Sequence, residues 1–191
     1  LAIDRKELLE SFRVFDGQYK SLLGEYIKPA ADLNALVQKT VAIAQNLKPL
    51  KCGSGWSPDV KRQLPNIIAG IFTVFTVLKS GSSYNRIEAT AAAGASEIGE
   101  KLLKKPHNIQ VLTLLSMLGC GAPSRSTLES QLMQIRTGEG KSIILGAAAV
   151  VLGLLGFRVR CVCYSEYLSN RDYDLFKDVF SYFHLTEYIK Y

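Results

Sequence analysis

The feature that most constrains the fold is an apolar run of 15 residues from Ile143 to Phe157, which contains no polar side chain. A membrane-spanning helix needs about 20 apolar residues, so the run is too short to cross a bilayer. A helix that is apolar on all sides must be buried on most of them. The run therefore predicts a helix enclosed within a layered protein.

The segments around this run predict an α/β fold with a parallel sheet. We expect a strand over 132–135, a turn over 138–140, the buried helix, a strand over 157–163 and a helix over about 168–183. Strands that alternate with helices in this way are typical of βαβ units, whose helices cover a parallel sheet.

The first half of the chain predicts helices throughout. Apolar residues recur at helical spacing from Asp4 to Phe15 and again from Gln18 to Leu47, where Pro29 should kink or divide the helix. No motif in this half indicates a function. It therefore predicts an all-helical segment.

Two further helices are predicted after a loop. Ser57 followed by Pro58 is typical of a helix start, and Gly81 is typical of a helix end. Asn85, with Glu88 after it, resembles a capping box, so we expect an Ala-rich helix to begin there and to end near Lys105.

Composition excludes several classes of protein. Lys and Arg number 23 and Asp and Glu 17, which gives a formal charge of +6. The chain does not have the basic stripe typical of nucleic-acid binders, which argues against nucleic acid as a partner. The four cysteines have the spacing of neither a zinc site nor a disulfide scaffold. The first residues, Leu1 to Glu10, are charged and do not have the apolar h-region of a signal peptide. We therefore expect a soluble, cytoplasmic protein with free thiols.

The turn before the apolar helix indicates phosphate chemistry. Its sequence is Arg136-Thr137-Gly138-Glu139-Gly140-Lys141-Ser142. Glycines let the backbone approach phosphates closely, and a helix N-terminus offers N–H groups and a positive dipole end. Lys141 would contact the β- and γ-phosphates, and the Ser142 hydroxyl would ligate Mg²⁺. Ile135 stands where the usual P-loop pattern has its first glycine.

The presence of Ile135 in place of the first P-loop glycine is itself informative. A P-loop written R-T-G-E-G-K-[ST] resembles that of the SecA family of preprotein-translocase motor ATPases. Two other blocks support the resemblance in the right order. Tyr164 to Asp172 is similar to the family's N-D-Y-L-A-Q-R-D block, and Pro106 to Gln110 is similar to its P-F-D-V-Q segment, the Q motif. The resemblance extends from about Lys101 to Asp178.

The resemblance implies a RecA-like P-loop domain that uses ATP and Mg²⁺. Gln110 would recognise adenine, since a side-chain amide complements the N6 and N7 edge of that base. Arg171 and Asp172 would be structural or coupling residues and not phosphate ligands. Implied partners are ATP, a polypeptide cargo and a membrane translocation channel. The implied ligand-binding residues are Gln110, Arg136, Thr137, Gly138, Glu139, Gly140, Lys141 and Ser142, with Ser142 also the metal ligand.

We expect a helical region over 1–105 and a partial nucleotide-binding domain over 106–191. The chain has no initial Met and stops after a patterned segment, so we expect a truncated piece of a longer chain whose remaining parts are further partners. After Ser142 there is no acidic D-E-[AC]-D string, and the family's arginine fingers would lie further on. We therefore expect ATP binding without hydrolysis.

Two other functions stay open from sequence. The same ATPase core serves helicase-type nucleic-acid motors, although the diffuse charge argues against that reading. The second alternative is a non-catalytic helical interaction module that contains a relic P-loop. For localisation, the resemblance adds peripheral association with a membrane to the cytoplasmic expectation.

Overall fold

The computed structural model describes residues 3–28, 31–47, 57–91, 103–122 and 132–191. Within these ranges it contains six helices and two short strands. In chain order they are α1 (Arg5–Tyr26), α2 (Leu33–Gln45), α3 (Pro58–Ala91), α4 (Asn108–Met117), α5 (Lys141–Leu154), β1 (Val159–Arg160), α6 (Glu166–Tyr182) and β2 (Ile189–Lys190).

The first two helices confirm the helical reading of the N-terminal segment and correct its boundaries. Asp4 caps α1 by accepting hydrogen bonds from the backbone N–H groups of Lys6 and Glu7 at 2.8 and 3.3 Å. The runs of helical spacing that end at Phe15 and begin at Gln18 belong to one helix, because α1 continues through Gly17 to Tyr26. A single glycine costs a helix only about 1 kcal/mol relative to alanine, which packing of the apolar face offsets.

Helix α3 begins where Ser57 and Pro58 predict it, and the Ser57 hydroxyl accepts a hydrogen bond from the backbone N–H of Val60 at 3.3 Å. The predicted end at Gly81 and the new start at Asn85 are both wrong, since α3 continues to Ala91. Glycine ends a helix when it adopts a left-handed conformation, and Gly81 does not. The predicted end near Lys105 is separated from α3 by residues outside the described ranges.

The core of the helical part forms around α3. Phe15 packs edge-on against Phe72, with ring centroids 6.1 Å apart. The Tyr19 hydroxyl lies 2.8 Å from the Thr76 hydroxyl, which donates to the carbonyl of Lys104 at 3.2 Å, so Tyr19 is the donor of the pair. Burial raises the pKa of Tyr19 to about 12, so this donor stays protonated at neutral pH. These contacts hold α1 and the segment at Lys104, which precedes α4, against α3.

One part of α3, Pro58–Gly81, is long and apolar enough to cross a membrane by length and composition alone. Its most apolar window is 72% buried inside the protein. The core helix of a soluble protein passes the same test, so the measure is weak evidence for a membrane span.

The C-terminal part contains one parallel βαβ unit. β1 pairs with β2 in register Val159 to Ile189 and Arg160 to Lys190, and α6 connects the two strands. β1 lies within the strand predicted over 157–163, whereas the sequence did not predict β2. The α/β prediction is confirmed in this coarse form, a mainly helical protein with the start of a parallel sheet.

The strand predicted over 132–135 is wrong in the described structure. Residues 132–136 have no regular secondary structure, and Leu132 is fully exposed. Exposed and half-buried residues alternate along this segment, as in a strand. A strand is defined by backbone pairing, however, and β1 is paired only with β2 within the described residues. The apolar pattern therefore marks a segment without regular secondary structure and not a member of the described sheet.

Helix α6 packs against both α3 and α5. Phe176 of α6 stacks on Phe75 of α3 with ring centroids 4.9 Å apart, and Lys79 forms a 3.0 Å ion pair with Asp178. A Cβ built on Gly146 of α5 would collide with the Phe176 ring. Residues on both sides of position 105 therefore share one buried core, while the proposed division of the chain at that position stays a prediction.

Candidate nucleotide-binding site

The loop over 136–142 turns directly into the N-terminus of α5. Gly138 and Gly140 have φ of +93° and +78°, the left-handed region that favours glycine. Gly140 is the N-cap of α5, which begins at Lys141. The apolar helix predicted after the loop is therefore confirmed over Lys141–Leu154, and most of its residues from Ile144 onward are buried.

Gln110 of α4 holds the backbone of this loop. Its Nε2 donates to the carbonyl of Glu139 at 2.9 Å, and its Oε1 accepts from the backbone N–H of His107 at 3.0 Å. Only 3% of Gln110 is exposed. A Cβ built on Gly140 would collide with Gln110 Nε2, so the absence of a side chain at this position is required for the contact.

The predicted role of Gln110 in adenine recognition stays a prediction. The two hydrogen bonds fix which end of the amide is donor and which is acceptor. One N–H and one lone pair of the amide are not used by these two bonds. A shallow depression of about 530 Å³ lies at the start of α4 and is lined by Leu103, Lys105, Pro106, His107, Asn108 and Ile109. Gln110 is next to this lining and not part of it.

Lys141 is exposed, and its ammonium donates to the carbonyl of Arg136 at 3.0 Å across the loop. Arg136, Thr137 and Gly138 are also exposed, whereas Glu139 is half-buried and contributes its carbonyl to the contact with Gln110. The structure thus brings all eight predicted binding residues together around one turn. Two of them are cations, which suits an anionic ligand at a helix N-terminus.

Ser142 contacts two residues, 29 and 30 positions further along the chain, that were not predicted to be phosphate ligands. Its hydroxyl donates to Asp172 Oδ1 at 2.8 Å. Arg171 donates to the same carboxylate oxygen through Nε at 3.0 Å and through Nη2 at 2.8 Å, and Nη2 lies 3.3 Å from Ser142 Oγ. The hydrogen bond with Asp172 raises the pKa of the Arg171 guanidinium above its usual range.

The sequence contained a signal for this contact. Arg171 and Asp172 are in the block similar to N-D-Y-L-A-Q-R-D, and the resemblance implied a structural or coupling role for them. Asp172 lies in the second turn of α6, which packs against α5. Packing of these two helices, which no local pattern specifies, brings the carboxylate to Ser142.

The oxygen atoms of this site could hold Mg²⁺ only together with a nucleotide. Among the described residues there is no group of three or more His, Cys, Asp or Glu side chains that could hold a metal ion by itself. Mg²⁺ in nucleotide sites is usually held by one or two protein oxygens together with phosphates and waters. A Ser142 hydroxyl with a carboxylate beside it meets that requirement.

The chain is similar in sequence to curated proteins that are protein translocase subunits. Protein translocase subunit SecA of Treponema denticola is 31% identical over 105 residues, which is 54% of this chain and 10% of that protein. SecA of Borrelia garinii subsp. bavariensis is 30% identical over 110 residues, covering 57% and 11%. Protein translocase subunit SecA 2 of Corynebacterium diphtheriae is 32% identical over 85 residues, covering 44% and 10%. The chain thus matches about a tenth of the length of these relatives.

No solved structure gives a significant match. The relatives named above do not favour the helicase alternative, since all three are protein translocase subunits. The family model described as "SecA DEAD-like domain" matches residues 27–190, which extends the resemblance through most of the helical half. The chain therefore belongs to the SecA DEAD-like domain family.

Proposed function

We propose that this chain binds Mg·ATP at the loop over 136–142, as part of the nucleotide-binding domain of a SecA-type motor in protein translocation. The observation that best supports this is the placement of Gly140. It adopts a left-handed conformation against Gln110 and directly precedes the helix N-terminus at Lys141. The N–H groups of Ile143 and Ile144 donate to the Gly140 carbonyl at 3.0 and 3.3 Å, so those of Lys141 and Ser142 are the ones in the first turn that would meet phosphate oxygens.

Lys141 would bind the phosphates by changing partner. Its ammonium donates to the neutral carbonyl of Arg136 at 3.0 Å, and a phosphate oxygen is a stronger, charged acceptor. The exchange needs only rotation of an exposed side chain. Arg136 is exposed on the same loop and adds positive charge there.

Ser142 would provide the protein oxygen for Mg²⁺, and Gln110 would recognise adenine while it holds the Glu139 carbonyl. Mg²⁺ bound with ATP neutralises part of the phosphate charge. Hydrolysis needs an acidic group to activate water, and the segment after Ser142 has no D-E-[AC]-D string. We propose that the chain binds ATP without hydrolysing it.

The larger protein would act on a polypeptide cargo at a membrane translocation channel, from the cytoplasm with peripheral membrane association. Support comes from the relatives, which are translocase subunits about ten times the matched length. Nucleic acid is not proposed as a partner, because the charge of +6 is spread along the chain.

Calorimetry with Mg·ATP tests the proposal directly. We expect Lys141→Ala to weaken ATP binding at least about tenfold, or about 1.4 kcal/mol, because the variant loses a charge-assisted phosphate contact. The matched control is Lys177→Ala, an exposed lysine on α6 that pairs with Asp174 at 3.1 Å. Equal heats for Lys141→Ala and the wild-type chain would rule out the loop as the phosphate site.

A further inference from the structure

We propose that Asp172 is a positioning residue for the Mg²⁺ that accompanies the nucleotide, acting through the hydroxyl of Ser142. The inference rests on the proposed ATP site and deepens it. It assigns a role in the nucleotide site to a residue that sequence reasoning treated as structural or coupling.

The orientation of the Ser142 hydroxyl is the first support. A hydroxyl has one proton and two lone pairs, and it ligates a metal only through a lone pair. Its proton is directed to Asp172 Oδ1 at 2.8 Å. With the proton held there, the oxygen presents lone pairs elsewhere. One of them receives the longer 3.3 Å contact from Arg171, and the other is left for a cation.

The position of the carboxylate is the second support. The Asp172 side chain is only 10% exposed, whereas Arg171 is 55% exposed. A buried carboxylate is retained only when it is paired and hydrogen-bonded, and Arg171 and Ser142 both meet that need at the same oxygen. The other oxygen, Oδ2, has a weak contact with Cys163 Sγ at 3.9 Å. The acceptor for Ser142 is therefore fixed in place.

The packing of α6 in the core is the third support. Asp172 lies one helical turn before Phe176, which is completely buried and stacked on Phe75. Rotation of the carboxylate away from Ser142 by movement of the helix would disrupt this core packing. Second-layer groups that orient a metal ligand typically change metal affinity about tenfold or more when they are removed.

The experiment compares ATP affinity in excess Mg²⁺ with ATP affinity in excess EDTA, and the ratio is the magnesium gain. Three variants are used: Asp172→Asn, which keeps an oxygen acceptor but loses the charge, Asp172→Glu, which keeps the charge but displaces the acceptor, and Asp172→Ala, which loses both. Asp174→Asn is the control, because Asp174 is an exposed carboxylate on the same helix. Circular dichroism and thermal melting verify folding.

We expect Asp172→Ala and Asp172→Glu to reduce the magnesium gain about tenfold, with the EDTA affinity within about twofold of the wild-type value. Asp172→Asn and Asp174→Asn should keep most of the gain. If Asp172→Ala does not fold, the Asn and Glu variants decide. In a Ser142→Ala background the Asp172 variants should cause no further loss, because the effect passes through the hydroxyl.

Three results would overturn the inference while leaving ATP binding intact. They are a wild-type chain with no magnesium gain, Asp172 variants that all behave as wild type, and a gain retained by Asp172→Glu but lost by Asp172→Asn. The last would mean that charge and not position matters. A wild-type chain that binds ATP in neither buffer would instead refute the proposed function itself.

Discussion

Replacing Gly140 with alanine is expected to abolish measurable ATP binding and to lower the free energy of unfolding by about 2 kcal/mol or more. Gly140 has a φ of +78°, which costs an L-residue strain energy. The new Cβ would also collide with Gln110 Nε2. Relief of that collision requires either the Gln110 amide or the loop to move, and both movements break the 2.9 Å bond to the Glu139 carbonyl. Urea unfolding and calorimetry measure the two effects.

Gly138→Ala is the matched control for Gly140→Ala. Gly138 also has a left-handed φ, at +93°, but a Cβ built there meets no atom within 4 Å. Its substitution should therefore cost only the backbone strain of about 1–2 kcal/mol. Adding Gln110→Ala to Gly140→Ala should recover part of the lost stability by removing the collision. Equal effects of the two glycine substitutions would contradict the claimed contact with Gln110.

Phe176→Ala should give the largest loss of stability, about 3–5 kcal/mol, because the substitution leaves a cavity in the core. The ring is completely buried and lies between Phe75 of α3 and Phe180 of α6, with centroid distances of 4.9 and 5.9 Å. It also packs on the backbone of α5 at Gly146. The midpoint and slope of urea unfolding measure the change.

Tyr167→Ala is the control for Phe176→Ala. Tyr167 is an aromatic residue on the same helix but is 75% exposed, so its removal should change the free energy of unfolding by no more than about 0.5 kcal/mol. A loss below about 1 kcal/mol for Phe176→Ala would contradict the stacked core between α3, α5 and α6.

The local features of the fold could be predicted from sequence, because local chemistry determines them. The Ser57-Pro58 start of α3 follows from hydroxyl capping and the fixed φ of proline. The burial of α5 follows from the absence of polar residues in Ile143–Phe157. The turn at Gly138 and Gly140 follows from residues that tolerate positive φ.

Features that depend on distant partners were missed. The segment over 132–135 has a strand-like pattern of apolar residues, but no described strand pairs with it. β2 contains only Ile189 and Lys190, too few residues for a periodic signal, and it is defined by pairing with β1. Gly81 was expected to end α3, yet a glycine can stay in a helix when flanking residues continue it.

In the candidate site, too, the local features were predicted and a contact between distant residues was missed. The loop residues and Gln110 were predicted, the loop from its composition and Gln110 from the resemblance, and the structure places them together. The contact between Ser142 and Asp172 was not predicted, because it depends on how α5 packs against α6. The helical half gave no family motif by inspection, although the family match begins at residue 27.

The central claim is that the loop and the first turn of α5 enclose the phosphates of ATP, and amide hydrogen exchange tests it most directly. Within the segment from Gly138 to Ile144, the N–H groups of Ile143 and Ile144 already donate to the Gly140 carbonyl. We therefore expect Mg·ATP to slow exchange in this segment mainly at Lys141 and Ser142, whose N–H groups would bond to phosphate oxygens. Lys141→Ala should lose most of this protection. ATP binding without slower exchange in this segment, or with protection only elsewhere in the chain, would contradict the claim.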